Sequence, residues 1–283
     1  MKLGSIPAAA CAVLVCAPIA APAAGSAPAR VAYARSRHVL VYRSPSARRP
    51  VRALPNPYHG TRLAFLVRRV RPRWLHVFLP VRPNGSSGWV RRSQVRVLRD
   101  QYRVRVELRR HRLSVWRGGR LVMRQPVGVG RPGTPTPVGR YYLVELIKTD
   151  DPQGPYGPYA FGLSAHSDVL QRFDGGDGQV GIHGTNFLQG LGTDVSHGCI
   201  RIGNAAIVRL ARTLPLGTPV TIVGGARPAR PPHARPPVAG PISAPLRPSP
   251  AARAAPPQPR TTPGWAVAFR RYVDELLAFL HLE

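Results

Sequence analysis

The residues best suited to chemistry lie between Ile182 and Arg201. A His183-Gly184-Thr185 segment is followed, after a loop, by Ser196-His197-Gly198-Cys199-Ile200-Arg201. A thiol needs a base or positive surroundings to become a thiolate, because its free pKa is near ~8.5. His197 stands two residues from Cys199 and His183 stands sixteen away. A strand ending at His183 beside one starting at Cys199 would bring ring and sulfur within hydrogen-bond reach.

Attack of a thiolate on an acyl group creates an oxyanion, which backbone N–H donors stabilise. Gly198 has no Cβ and would let a substrate approach the backbone closely, so the amides of residues 197–199 are natural donors. Arg201 could hold a substrate carboxylate through two parallel hydrogen bonds. A structural ion pair or a carbonyl contact would account for Arg201 equally well.

The elements that must position these residues are mostly short strands. Residues 102–108 alternate apolar and polar side chains, as a half-buried strand does. Segments 113–116 and 121–123 flank a Gly-containing turn and predict a hairpin. Further strands are predicted over 139–147 and 219–223, with a Gly/Pro-rich loop over 127–136 and a rim loop over 150–162. Asn204 predicts the N-cap of a short helix over 205–213.

The spacing of these motifs resembles that of the L,D-transpeptidases with a YkuD-type catalytic domain. The resemblance rests on residues 183–185 and 196–201, and on the upstream Thr-Pro-rich segment 132–139. It covers roughly residues 101–223 and implies a β-sandwich-like catalytic domain with short helices. It implies no cofactor and no metal.

The resemblance also assigns roles to single residues. Cys199 matches the nucleophile and His183 the proton donor and acceptor, with the Gly184 carbonyl orienting the His183 ring. Ser196, His197 and Gly198 match the segment that shapes the oxyanion site, and His197 is counted with the catalytic residues. Thr185 and Arg201 are expected to bind substrate.

The implied reaction is acyl transfer on peptidoglycan stem peptides. A Cys199 thioester would form at the third residue of a tetrapeptide stem, and the amine of a neighbouring stem would then accept the acyl group in a 3→3 cross-link. Water as acceptor would make the protein an L,D-carboxypeptidase. A non-catalytic wall-binding protein is a further alternative.

Residues 36–99 predict a separate all-β module. Strands are expected over 38–42, 62–70, 74–79 and 94–98 and at Trp89-Val90, with a turn at 83–88. The run through Gly88-Trp89-Val90 resembles bacterial SH3-like domains, which implies a small β-barrel that binds wall peptides or serves as a spacer. The predicted fold class is therefore mainly β, with an SH3-like barrel before the catalytic domain.

The two ends of the chain differ from these modules. Residues 1–29 predict a signal peptide with small-residue cleavage sites at 21–23 and 27–29, either removed or kept as an anchor. Its removal would leave Cys199 as the lone cysteine, with no disulfide partner. Residues 224–264 are rich in Pro and Arg and predict an extended linker. Residues 265–283 predict an amphipathic helix that docks on the protein, on a membrane surface or on a partner.

The formal net charge of +29 predicts association with polyanions. Because the signal peptide predicts an exported, extracytoplasmic protein, anionic wall polymers or a membrane surface are expected partners, and a physiological nucleic acid is not. A zinc site from His166, His183, His197 and Cys199 is disfavoured by its spacing. The acidic residues Asp168, Asp174 and Asp177 suggest turns more than a calcium site.

Overall fold

A computed structural model describes residues 27–173 and 176–224 of the chain. The fold is mainly β, with two large sheets, one two-stranded sheet and a single α-helix in the described residues. The predicted linker over 224–264 and C-terminal helix over 265–283 lie outside the described residues, apart from Gly224. So does the predicted signal peptide, apart from its last three residues.

The first sheet has seven strands in the order β3-β2-β6-β5-β4-β1-β7. Its strands are β1 (Ala29–Ala34), β2 (His38–Tyr42), β3 (Arg52–Pro55), β4 (Ala64–Val70), β5 (Trp74–Phe78), β6 (Ser87–Arg91) and β7 (Val95–Asp100). All of its pairings are antiparallel. The sequence pattern missed β1 and β3. The missed β1 begins at Ala29, inside the range predicted as signal peptide.

The second sheet has eight strands in the order β10-β9-β8-β17-β12-β13-β14-β16. Its strands are β8 (Tyr102–Glu107), β9 (Arg112–Arg117), β10 (Arg120–Pro126), β12 (Gly139–Lys148), β13 (Tyr159–His166), β14 (Gln179–His183), β16 (Ile200–Arg201) and β17 (Pro219–Val223). The short β11 (Val129–Gly130) and β15 (Asp194–Ser196) pair with each other in parallel. Helix α1 (Asn204–Thr213) packs against β13.

Each large sheet has its own buried core. Leu63, Phe65 and Leu75 belong to the first, and Leu113, Ile182 and Ile207 to the second. A third, smaller cluster joins the sheets, because Tyr142 and Val144 of β12 pack with Leu66 of β4. Burial of such apolar surface stabilises a fold by about 25 cal/mol per Å².

Two predicted boundaries differ from the structure. The rim loop predicted over 150–162 ends earlier, because β13 begins at Tyr159 and pairs with both β12 and β14. Helix α1 begins at Asn204 with Gly203 as its N-cap. Asn204 is therefore not the cap, and its side chain contacts the site instead.

Candidate active site

Strands β14 and β16 bring the histidine and the cysteine segments together. They pair in parallel, with Ile182 opposite Ile200 and His183 opposite Arg201. Cys199 immediately precedes β16 and so lies level with Gly181, whose amide is 3.4 Å from the Cys199 sulfur. His183 is two residues further along the neighbouring strand, a rise of about 7 Å.

This parallel register explains a difference from the sequence-based expectation. Ring and sulfur are neighbours on adjacent strands, but among the described residues the hydrogen bond to Sγ comes from the Gly181 amide and not from His183. A direct bond between thiol and imidazole is thus not formed in the free protein. Catalytic hydrogen bonds are often long in the absence of substrate and tighten when it binds.

The His183 ring is buried and its tautomer is fixed. Its Nδ1 lies 2.6 Å from the carbonyl oxygen of Gly184, which can only accept a hydrogen bond. Nδ1 therefore carries the proton, and Nε2 keeps a lone pair. Burial lowers the pKa of His183 to about 4; the bond to Gly184 opposes this shift, and Arg201 adds to it. The ring is a neutral base at ordinary pH.

The thiol of Cys199 is also neutral in the free protein. Burial raises the pKa of Cys199, while the Gly181 amide and Arg201 act in the opposite direction. The residue as a whole is only partly buried. A neutral thiol beside a neutral imidazole can transfer its proton as the sulfur attacks, without a preformed ion pair.

The segment before the cysteine is held by hydroxyl groups. The buried Ser196 side chain donates to the carbonyl of Cys199 at 2.6 Å and accepts from the amide of Gly198 at 3.0 Å. The Gly198 amide is therefore already bonded, which leaves the amides of His197 and Cys199 as the candidates for an oxyanion site. Gly198 has φ +122, a conformation that side chains rarely adopt. The backbone conformation therefore requires glycine. Lack of space does not, because a Cβ there would meet nothing closer than 3.7 Å.

Thr136 is a site residue that the sequence reasoning did not single out. Its hydroxyl donates to the carbonyl of Gly198 at 2.8 Å and accepts from the amide of Gly130 at 2.8 Å. The Thr-Pro-rich segment thus lies against the cysteine loop and fixes it from the other side. The motif was visible in the sequence, but its partner was not.

Arg201 places in the site a positive charge that forms no ion pair among residues 27–173 and 176–224. Its Nε is buried without a hydrogen-bond partner among the described residues. Arg201 lies opposite His183 in the register of β14 and β16, and its charge lowers the pKa of His183 and of Cys199. His197 is exposed, and its ring contacts Arg131 and lies 5.2 Å from the ring of Phe173. The pKa of His197 is lowered, first by the partial desolvation of its ring and then by the positive charges of Arg131 and Arg201.

Thr185 is buried, and its polar groups bond within the protein. Its amide donates to Asn204 Oδ1 at 2.8 Å, and its hydroxyl accepts from the amide of Phe187 at 3.0 Å. Asn204 also donates to the carbonyl of Pro152, and so ties the rim loop to the histidine turn. Thr185 and Asn204 line a cleft of about 550 Å³.

The rim loop also supplies a ring contact to the site. Tyr156 lies 4.9 Å from the His183 ring, at an angle of 59°. This contact helps to bury the base and contributes to its lowered pKa. Sequence reasoning identified the loop but not the tyrosine.

Side chains from the turn between β5 and β6 bond the end of β13 and the segment that follows it. Arg82 donates to the carbonyls of Ser167, Leu170 and Asp177, each at 2.9 Å. Asn84 bonds both the amide and the carbonyl of His166. The turn between β5 and β6 therefore fixes the loop that carries Phe173.

Two of the three acidic residues considered for calcium have other partners. Asp177 pairs with His166 Nε2 at 3.1 Å, and Asp168 accepts from Asn84. Asp174 lies outside the described residues. Within residues 27–173 and 176–224, no group of three or more His, Cys, Asp or Glu side chains is placed to hold a metal.

The same residues contain no helix long and apolar enough to cross a membrane.

The fold and the site define a class: a β-domain with a partly buried cysteine, an oriented neutral histidine and an arginine without an ion pair in the described part of the chain, suited to covalent acyl transfer. Comparison with known proteins points to the same reaction class. Residues 101–222 match the model of YkuD, the L,D-transpeptidase catalytic domain.

Curated relatives and solved structures are similar to part of this chain. Two curated proteins named "Putative L,D-transpeptidase YkuD", from Bacillus licheniformis and Bacillus subtilis, are 36% and 34% identical over 121 residues. The match covers 43% of this chain and 65% of each relative, so the chain spans just under two thirds of their length. L,D-transpeptidase 3 from Mycobacterium tuberculosis is 18% identical, with a TM-score of 0.37 over 53% of this chain and 78% of that one.

Proposed function

We propose that the protein is a peptidoglycan L,D-transpeptidase that forms 3→3 cross-links through a thioester on Cys199. The observation that carries the proposal is the parallel pairing of β14 with β16, which sets Cys199 beside a neutral His183 whose Nε2 is free to accept a proton. The family match over 101–222 supports the same reaction class.

In the first half-reaction, the Cys199 proton passes to His183 Nε2 as the sulfur bonds to the carbonyl carbon of the third stem residue. The resulting oxyanion would be stabilised by the amides of His197 and Cys199. The C–N bond to the terminal D-Ala then breaks, and the leaving amine takes the proton from His183. The thioester remains on the enzyme.

In the second half-reaction, the amine of another stem attacks the thioester. His183 accepts a proton from that amine and returns it to the sulfur as the C–S bond breaks, which restores the free thiol. In this proposal Arg201 binds the carboxylate of a stem peptide, because its guanidinium lies on the strand beside His183 and forms no ion pair among the described residues. Thr185 acts indirectly, by fixing the turn after His183.

The first module is proposed to be an SH3-like domain that places the catalytic domain on the wall. Its seven short antiparallel strands and separate core support this assignment. The proposal includes export from the cytoplasm, because stem peptides are cross-linked outside it.

The test is incubation of the full chain with disaccharide-tetrapeptide stems, followed by identification of the products by mass spectrometry. A 3→3 cross-linked dimer with release of D-Ala is expected. Tripeptide stems alone would identify an L,D-carboxypeptidase and refute cross-linking.

The variants separate catalysis from folding. Cys199→Ala and His183→Ala are expected to abolish turnover while the fold persists, whereas the exposed His38→Ala is expected to keep it. Turnover by Cys199→Ala at the wild-type rate would refute the proposal. A mild effect of His183→Ala would point to His197 as the base.

A further inference from the structure

The first module has an unusual charge composition. The sequence contains no Asp or Glu from Met1 to Arg99, and residues 27–99 contain 17 arginines. Codon usage can favour Arg over Lys, but it does not remove acidic residues. Like charges on a small domain repel each other and lower its stability unless a partner supplies the opposite charge.

Three of these arginines lie over aromatic rings on one face of the sheet. Trp74, His76 and Phe78 of β5 share this outer face, since the residues between them, Leu75 and Val77, are fully buried. The guanidinium-to-ring distances are 4.8 Å for Arg68 over Phe78, 5.0 Å for Arg71 over Trp89, and 5.2 Å for Arg91 over Trp74. We call Arg68, Arg71, Arg91 and these rings the arginine–aromatic face.

The rings connect the arginines into one surface. Trp89 stacks on His76 at 4.8 Å, and Tyr42 meets Trp74 edge-to-face at 5.1 Å while also lying under Arg91. From Trp74 to Phe78, β5 spans about 13 Å. The three arginine side chains are exposed. None of them forms an ion pair within the described residues.

Stacking holds a guanidinium plane in a fixed orientation and leaves N–H groups free for a ligand. Such a planar fork binds a phosphate oxygen pair through two parallel hydrogen bonds, and less entropy is lost when the group is already ordered. A row of ordered, uncompensated arginines is complementary to a chain of regularly repeated phosphates. A second copy of this protein does not fit, because it carries the same charge.

We propose that the arginine–aromatic face binds a polymer of phosphodiester-linked polyols in the cell wall. This proposal rests on the proposed function in one respect: an enzyme that acts on peptidoglycan would meet such a polymer in the wall. The β5–β6 hairpin that carries this face ends in the turn with Arg82 and Asn84, which contacts the loop beside the catalytic site. Polymer binding would therefore hold the catalytic domain against the wall by a rigid connection.

The test uses the full chain, soluble poly(glycerol phosphate) as the probe, and wall sacculi with and without their phosphodiester polymers. The test variant is Arg68→Gln/Arg71→Gln/Arg91→Gln. The matched control, Arg30→Gln/Arg96→Gln/Arg99→Gln, removes the same charge from exposed positions of β1 and β7. The test variant should bind poly(glycerol phosphate) at least ~10-fold more weakly, and the salt slope should fall by about three. The control should lose less than ~3-fold.

A triple lysine variant at positions 68, 71 and 91 separates stacked guanidinium groups from net charge. It keeps the charge but is expected to bind at least ~5-fold more weakly than wild type, because an ammonium group lacks the planar fork. Wild-type binding by this variant, or equal losses in the test and control variants, would overturn the proposal. Two further results would also overturn it. One is that a single-stranded oligonucleotide displaces the protein from sacculi while poly(glycerol phosphate) does not. The other is that the protein binds equally well to sacculi with and without their phosphodiester polymers.

Turnover of soluble stem peptides, measured on the same samples, distinguishes this proposal from the proposed function. The arginine variants are expected to keep wild-type turnover. Loss of polymer binding with normal turnover supports the polymer proposal alone. Absence of turnover in the wild type would remove the proposed function but leave the binding comparison intact.

Discussion

Replacing Thr136 by valine tests how the cysteine loop is held. The substitution keeps the shape of the side chain and removes the hydroxyl, which bonds the Gly198 carbonyl and the Gly130 amide at 2.8 Å each. A buried group left without its partner costs about 1–3 kcal/mol. Gly198 is buried and Gly130 only partly so, and we therefore expect a total cost of about 2–4 kcal/mol.

The same perturbation should lower activity, since the bonded carbonyl belongs to the residue before Cys199, the proposed nucleophile. A displacement that costs about 2 kcal/mol in the transition state reduces kcat/KM about 30-fold. The measurements are urea unfolding and stem-peptide turnover. Thr134→Val is the matched control: the Thr134 hydroxyl bonds the Ser196 carbonyl at 3.3 Å, and that carbonyl also accepts from the Arg131 amide. The control should lose less than about 1 kcal/mol. Equal effects of the two substitutions would refute the reasoning.

Three further predictions concern the charge states and the loop contacts. Because the pKa of His183 is lowered to about 4, the unfolded chain binds more protons than the folded one between that pH and about 6.5. Stability from this group is therefore present above pH ~6.5 and lost as pH falls toward 4, a change of about 3 kcal/mol that His183→Gln should abolish in pH-dependent unfolding. Because the pKa of Cys199 is raised, its alkylation by iodoacetamide should accelerate up to and beyond pH ~9, and a rate that stays constant down to pH 5 would instead indicate a preformed thiolate. Arg82→Ala should lower kcat/KM about 10-fold through release of the 166–178 loop, and Arg82→Lys should not restore it, since one ammonium cannot bond three separated carbonyls.

The sequence was most informative where a pattern is local. Alternation over 102–108 and the Gly turn at 117–120 predicted β8 and the β9–β10 hairpin, because strand and turn preferences act between near neighbours. The weakly patterned strands Ala29–Ala34 and Arg52–Pro55 were missed. The first is determined by its pairing with β4 and β7, far along the chain, and the second lies at the sheet edge and, among the described residues, pairs only with β2.

The candidate site shows the same division. The His183 and Cys199 motifs were identifiable from residue type and spacing, but their relative register was not, because it depends on a parallel pairing across a sixteen-residue separation. The contacts of Thr136 and Tyr156 likewise join segments far apart in the chain. Asn204 was predicted as a helix cap on local preference, and the tertiary contact with Thr185 overrides that preference.

The most direct test of the central claim is to locate the acyl group on the enzyme. The full chain would be treated with a carbapenem, digested, and mapped by peptide mass spectrometry, so that Cys199 is distinguished from Cys11 and Cys16. We expect one adduct, on the peptide containing Cys199, and none in Cys199→Ala. An adduct on another residue, or stem-peptide turnover that persists without this thiol, would contradict it.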